Sequence, residues 1–255
     1  MPGSNGDARA QVDDSVWRDF ASRHRLALVG AQIVDKPHEQ KFLEEYVNVS
    51  EGSGQAVLDA LTQFASQSQH PELATAPLLL WGMSAGGQFN YEFVAWKPER
   101  VIAFVANKGG IYYTALTSRA ARNVPGILFI GGKEPVPSRN TTIKGLFALN
   151  RRAGALWALA EEPGAAHVVG RSRDVALVLF EEALRLRLGE ENPGSQQSDL
   201  LKQISENTGF LGDLQTGAYH SAAEPPPSAE PMAWLLTERV ARAWAAMVTE
   251  KSIEP

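Results

Sequence analysis

Short runs of Leu, Val, Ile and Ala alternate along the chain with segments whose apolar residues recur every three or four positions. The short runs read as buried strands and the periodic segments as amphipathic helices. Strands are predicted at Leu26 to Val34 (LALVGAQIV), Pro77 to Trp81 (PLLLW), Val101 to Ala106 (VIAFVA), Gly126 to Ile130 (GILFI) and Ala155 to Ala160 (ALWALA). Helices are predicted near 12–24, 54–68, 85–96, 141–152 and 173–187. This alternation is the pattern of an α/β fold, a mostly parallel sheet with helices on both faces. The helices are long enough to serve as crossovers between parallel strands.

From Gly189 to Pro231 the periodicity gives way to Pro, Gly, Ser and Gln, with Glu224-Pro225-Pro226-Pro227 and a turn signal over Gly212 to Gly217. A final helix follows Thr237, and its apolar residues at 240, 241, 244 and 247 form a stripe for docking. The expected organisation is an α/β domain over 1–188 and an irregular extension with a docking helix over 189–255.

Composition narrows the chemistry. Of 255 residues, 44% are hydrophobic and 21% charged, enough to bury a sizeable core. The formal charge is -5 and no dense basic run is present, so no nucleic-acid partner is expected. The absence of cysteine excludes disulfides, a thiolate nucleophile and Cys-ligated metals. Residues 1–25 lack the apolar core of a secretory signal, and no apolar run nears the roughly 20 residues that span a bilayer. A soluble, cytoplasmic protein without a membrane partner is the expectation.

One constellation carries chemistry. Directly after the Leu78 to Trp81 run comes Gly82-Met83-Ser84-Ala85-Gly86-Gly87, a G-x-S-x-G sequence between strand and helix. Such a turn holds the serine in a strained conformation at the carboxyl edge of the sheet, and the glycines let strand and helix approach closely. The plainer reading of Ser84 is a helix N-cap.

A hydroxyl needs a base to become a nucleophile, and the base needs a carboxylate to fix its tautomer. Of five histidines, His24, His38 and His70 precede Ser84. His167, in the loop Glu162 to Gly170 behind a predicted strand, is the favoured base, with His220 in the extension the weaker candidate. Glu134, in the Gly131-Gly132-Lys133-Glu134 turn behind another strand, is the favoured acid. Glu161 and Glu162 compete with it, whereas Asp174 reads as a helix-end charge.

These residues resemble an alpha/beta-hydrolase, similar to the dienelactone hydrolase, polyhydroxybutyrate depolymerase and feruloyl esterase-like branches, over roughly residues 2–188. The family usually places Asp where Glu134 stands. The resemblance implies a serine carboxylic-ester hydrolase that works through an acyl-enzyme on a small-molecule ester, without cofactor or metal. It also implies an oxyanion hole from the backbone N–H of Ala85 and one of Ser4 or Asn5, in the Pro2 to Asp7 loop. The family's first three strands then have no counterpart. Either the sheet closes up or a second copy of the chain covers the open edge, as in a homodimer. The alternatives are a non-catalytic binding or scaffold protein, and an acyltransferase or amidase using the same three side chains.

Other motifs have plainer readings. Lys36 to Gln40 and Asn107 to Tyr113 are loops that open on the same edge, read as ordinary connections or pocket walls. His38-Glu39 lacks the second His of a zinc-protease motif. Gly52 to Gln55 lacks phosphate-loop spacing, and Ser53 reads as a helix cap. Phe89, Tyr91, Phe93, Trp96, Trp157, Trp234 and Trp244 read as packing residues, with Trp234 also placed to line a cleft.

Overall fold

The computed structural model describes residues 1–35, 44–188, 201–228 and 230–250. In chain order the elements are α1 (Arg9–Asp13), α2 (Ser15–Arg23), α3 (Ser53–Ser68), β1 (Leu78–Met83), α4 (Ala85–Trp96), β2 (Val101–Asn107), α5 (Arg119–Arg122), β3 (Gly126–Gly131), α6 (Pro137–Arg152), β4 (Trp157–Glu162), α7 (Ser172–Arg187), β5 (Phe210–Gly212), β6 (Tyr219–Ser221), β7 (Ala233–Leu235) and α8 (Glu238–Val248).

Strands β1 to β4 form a parallel sheet in that order. Strands β2 to β4 are buried on both faces, which is why they are apolar nearly throughout, whereas β1 at the edge is half-buried. Ile127 and Phe129 of β3, with Ala158 and Ala160 of β4, point into a core shared with Trp17, Phe20, α7 and α8. Leu128, Ile130, Trp157 and Leu159 point the other way, onto Phe89, Phe93 and Phe147 of α4 and α6. The fold is α/β with helices on both faces, as the periodicity predicts.

Element boundaries shift for local reasons. Predicted strand 155–160 becomes 157–162 because Ala155 and Leu156 spend their N–H groups on Asn150 and Arg122 carbonyls. Helix α6 starts earlier than its apolar period because Pro137 suits the first helical position. Helix 12–24 is broken in two by Asp14, which caps α2 by accepting from the N–H groups of Val16 and Trp17. Ser53 is the first residue of α3 and not its cap. Gly52 precedes it with φ 116°, and the Ser53 hydroxyl donates to the Tyr46 carbonyl at 2.6 Å.

The predicted strand Leu26 to Val34 is not a strand. Leu26 and Leu28 pack against the core on one face of the sheet and Ile33 against the core on the other, so the segment runs from one face to the other and forms no ladder. A methyl on Gly30 would lie 2.5 Å from Val12, which ties the segment to α1. It is Met1 that meets the edge of β1, donating from its amino group to the Trp81 carbonyl at 2.8 Å and accepting from the Met83 N–H at 3.3 Å. The predicted Lys36 to Gln40 loop lies outside the described residues.

The extension carries more order than its composition suggests. Strands β6, β5 and β7 form a small antiparallel sheet around the Gly212 to Gly217 turn. Trp234 and Trp244 are buried and donate their indole N–H groups to the carbonyls of Glu206 and Leu159. Trp157 does the same to Val124, so all three tryptophans are packing anchors with their polar atom satisfied. Among the described residues no helix is long and apolar enough to cross a membrane.

Candidate active site

Four strand ends present chemistry on one edge. Ser84 follows β1, Asn107 and Lys108 close and follow β2, Glu134 lies just beyond β3 and His167 just beyond β4. In a parallel sheet these ends are side by side, so residues far apart in sequence become neighbours.

Ser84 has φ 55° and ψ -122°, a backbone conformation that side-chain-bearing residues rarely adopt. It stands at the N-cap position of α4, yet its hydroxyl makes no capping bond. The hydroxyl instead meets Nε2 of His167 at 3.0 Å. Nδ1 of the same ring meets Oε2 of Glu134 at 2.7 Å. With Nδ1–H donating to the carboxylate, Nε2 is left to accept from the serine.

The turn requires its glycines. A methyl on Gly82 would fall 2.3 Å from the Gly86 carbonyl oxygen, and one on Gly86 would fall 2.3 Å from that of Met1 and 2.4 Å from that of Pro2. All three obstructions are backbone and cannot swing aside. Gly86→Ala is therefore expected to destabilise the protein by about 1–3 kcal/mol, read as a lowered urea midpoint. A stability equal to wild type would show that the amino-terminal segment is not packed on the elbow.

That contact places the Pro2 to Gly6 loop beside Ser84. A methyl on Gly3 would touch the Ser84 Cβ at 3.5 Å, and the loop turns through a Gly6 N–H to Gly3 carbonyl bond of 2.9 Å. Ser4 and Asn5 are exposed in this turn. Asn5 has φ 49°, and its side-chain oxygen accepts from the Asp35 N–H.

Glu134 is buried, with 1% of its side chain exposed. Oε2 faces His167, whereas Oε1 accepts from Arg139 at 3.0 Å and from the Val136 N–H at 3.2 Å. Burial alone would raise this carboxyl, but the hydrogen bonds from His167, Arg139 and Val136 outweigh it and hold the group below the usual carboxylate range.

The competing residues are engaged elsewhere. Glu161 pairs with Lys144. Glu162 points inward, accepting from Lys108 Nζ at 3.1 Å and from the Arg171 N–H at 2.8 Å. Asp174 lies in the first turn of α7, where a carboxylate suits the helix dipole. His220 is exposed on β6.

Asn107 and Lys108, at the start of the stretch that reads in sequence as a connection or pocket wall, tie the loops of the site together. The Asn107 carbonyl accepts from the Ser84 N–H at 2.8 Å, while its side chain donates to the Ser172 hydroxyl at 2.7 Å and the Val169 carbonyl at 3.4 Å. One residue thus touches both the Ser84 backbone and the far end of the loop that carries His167. Lys108, at φ 52°, is fully buried. Burial pulls its ammonium below the ordinary value and Glu162 opposes that pull. The available signal was an Asn-Lys before Gly109-Gly110 at a strand's carboxyl end. Among the described residues no cluster of His, Asp and Glu is arranged to hold a metal ion.

No protein-family model matches the chain, and no curated protein matches it. Among solved structures it is similar to poly(aspartic acid) hydrolase-1 from Sphingomonas sp. KT-1, with a TM-score of 0.44 and 18% identity over 70% of this chain and 85% of that one.

Proposed function

We propose that this chain is a serine hydrolase that cleaves carboxylic esters. The observation that carries the reading is the continuous relay from Ser84 Oγ through His167 to Glu134, at 3.0 and 2.7 Å, on a serine with positive φ. A serine that merely capped its helix would aim its hydroxyl at that helix's N–H groups. The resemblance to ester-hydrolysing branches makes esters the proposed substrate class.

In the first half-reaction Ser84 Oγ attacks the ester carbonyl carbon as His167 Nε2 takes its proton. Glu134 holds the ring and stabilises the imidazolium that results. The negative oxygen of the tetrahedral intermediate is received by the backbone N–H groups of Ala85, at the start of α4, and Ser4, in the loop packed on the elbow. One such donor contributes roughly 3–4 kcal/mol to transition-state binding. The imidazolium then protonates the departing alcohol, leaving an acyl-serine. Water, deprotonated by the same imidazole, repeats the attack and releases the acid.

A fluorophosphonate probe tests the reading because it phosphonylates only an activated serine. One probe per chain is expected, on the peptide that contains Ser84, with competition by p-nitrophenyl acetate. A folded chain that takes up no probe and hydrolyses no ester would instead be a non-catalytic member of this fold.

A further inference from the structure

Arg139 is the third residue of α6, where a cation faces the positive end of the helix dipole. The placement is unfavourable for the helix, so the charge is used elsewhere. Its Nη1 donates to Oε1 of Glu134 at 3.0 Å, and only 20% of the side chain is exposed. Its stem lies on the loop after β2, since a methyl on Gly110 would come within 3.1 Å of Arg139 Cγ and 3.2 Å of Nε. The side chain therefore joins two of the loops that build the site.

With Oε1 held by both Arg139 and the Val136 N–H, Oε2 is the oxygen that remains for His167. A cation on the far oxygen has two effects. It fixes the carboxylate's orientation, and it helps to hold the Glu134 carboxyl below the usual carboxylate range. We propose that Arg139 is a positioning residue of this site, acting through Glu134 to orient His167 and to set the pH below which the reaction stops. This inference rests on the reading of Ser84, His167 and Glu134 as a catalytic unit.

The other charges around the pair have different placements. Lys133 is exposed. Lys108 is buried and feels both Glu162 and Glu134, but its hydrogen bonds go to Glu162 and to the Asn107 side-chain oxygen. The Arg171 N–H is bound to Glu162, and Glu250 approaches the loop at Gly164, where a methyl would lie 3.7 Å from its carboxylate. Arg139 is the cation hydrogen-bonded to the acid itself.

The test is the pH profile of kcat/KM for p-nitrophenyl acetate in wild type, Arg139→Gln, Arg139→Met and Arg139→Lys. Both neutral variants are expected to move the acid limb upward by about half to one pH unit, as loss of a nearby cation lets the His167–Glu134 pair take up its proton sooner. A roughly fivefold to tenfold fall in kcat with KM unchanged is expected alongside, the mark of an interaction that acts on the transition state. Arg139→Lys keeps the charge and should hold the limb at the wild-type position. An unmoved limb in a folded neutral variant overturns the proposal, whether activity falls or not. So does a lysine variant whose limb moves upward from the wild-type position by about half a pH unit or more, a comparison with wild type alone that decides the matter should the neutral variants not fold. A wild-type protein that neither hydrolyses ester nor takes up fluorophosphonate overturns the underlying reading and this inference with it.

Discussion

Ser84→Ala is expected to lower kcat/KM for p-nitrophenyl acetate by about 10⁴-fold or more, equivalent to about 5.5 kcal/mol of transition-state stabilisation. The size follows from the chemistry removed. Without Oγ there is no covalent intermediate, and what remains is water attack assisted by donors near the elbow. The substitution should leave the fold unchanged, because the hydroxyl's hydrogen bond is to His167 and it supports no helix end. Alanine also carries the Cβ already accommodated at φ 55°. Circular dichroism and the urea midpoint should match wild type. Undiminished turnover by the folded variant would remove Ser84 from the mechanism, and an activity loss accompanied by unfolding would leave the mechanism without its support.

The three residues of the proposed triad could be singled out in sequence because each follows an apolar run that forms a strand of the parallel sheet. In a parallel sheet the apolar runs announce the strands, and their ends announce where side chains from distant positions converge. The strand order then needed no further information to bring Ser84, Glu134 and His167 to one edge. Leu26 to Val34 shows where that logic stops. A segment that passes from one face of the sheet to the other also buries alternate apolar residues, so its periodicity equals that of a strand although its backbone bonds go elsewhere. The strands of the extension failed in the opposite sense. Phe210–Gly212, Tyr219–Ser221 and Ala233–Leu235 are three residues each, too short to show a period, and their order comes from packing on Trp234, Trp244 and α8.

The charged residues packed around the proposed triad were illegible for a related reason. Lys108, Glu162 and Arg139 are ordinary surface types in sequence, and a charged residue is assigned to solvent unless its partner is known. Their partners sit on other loops. Only the folded arrangement shows that Glu162, one of the competing acids by sequence distance from His167, belongs to an inward-facing pair with Lys108.

Lys108→Met is expected to destabilise the protein by about 3–5 kcal/mol, because it leaves the Glu162 carboxylate buried without its cation. The Lys108 side chain is fully enclosed and 10% of the Glu162 side chain is exposed, so water cannot easily replace the lost partner. The effect should reach the site as well. Glu162 accepts from the Arg171 N–H, and its carboxylate oxygens would lie 2.2 and 2.4 Å from a methyl on Gly170, so it packs directly beneath the loop that carries His167. A carboxylate that shifts to find another partner moves that loop, and kcat should fall in the residual folded protein. The double variant Lys108→Met, Glu162→Gln separates charge from shape. It removes the uncompensated charge while keeping an oxygen that accepts from Arg171, so it should recover more than half of the lost stability in urea denaturation. If the single variant loses less than about 1 kcal/mol, the pair behaves as an exposed ion pair would, and the histidine loop is held by Asn107 and Ser172 instead.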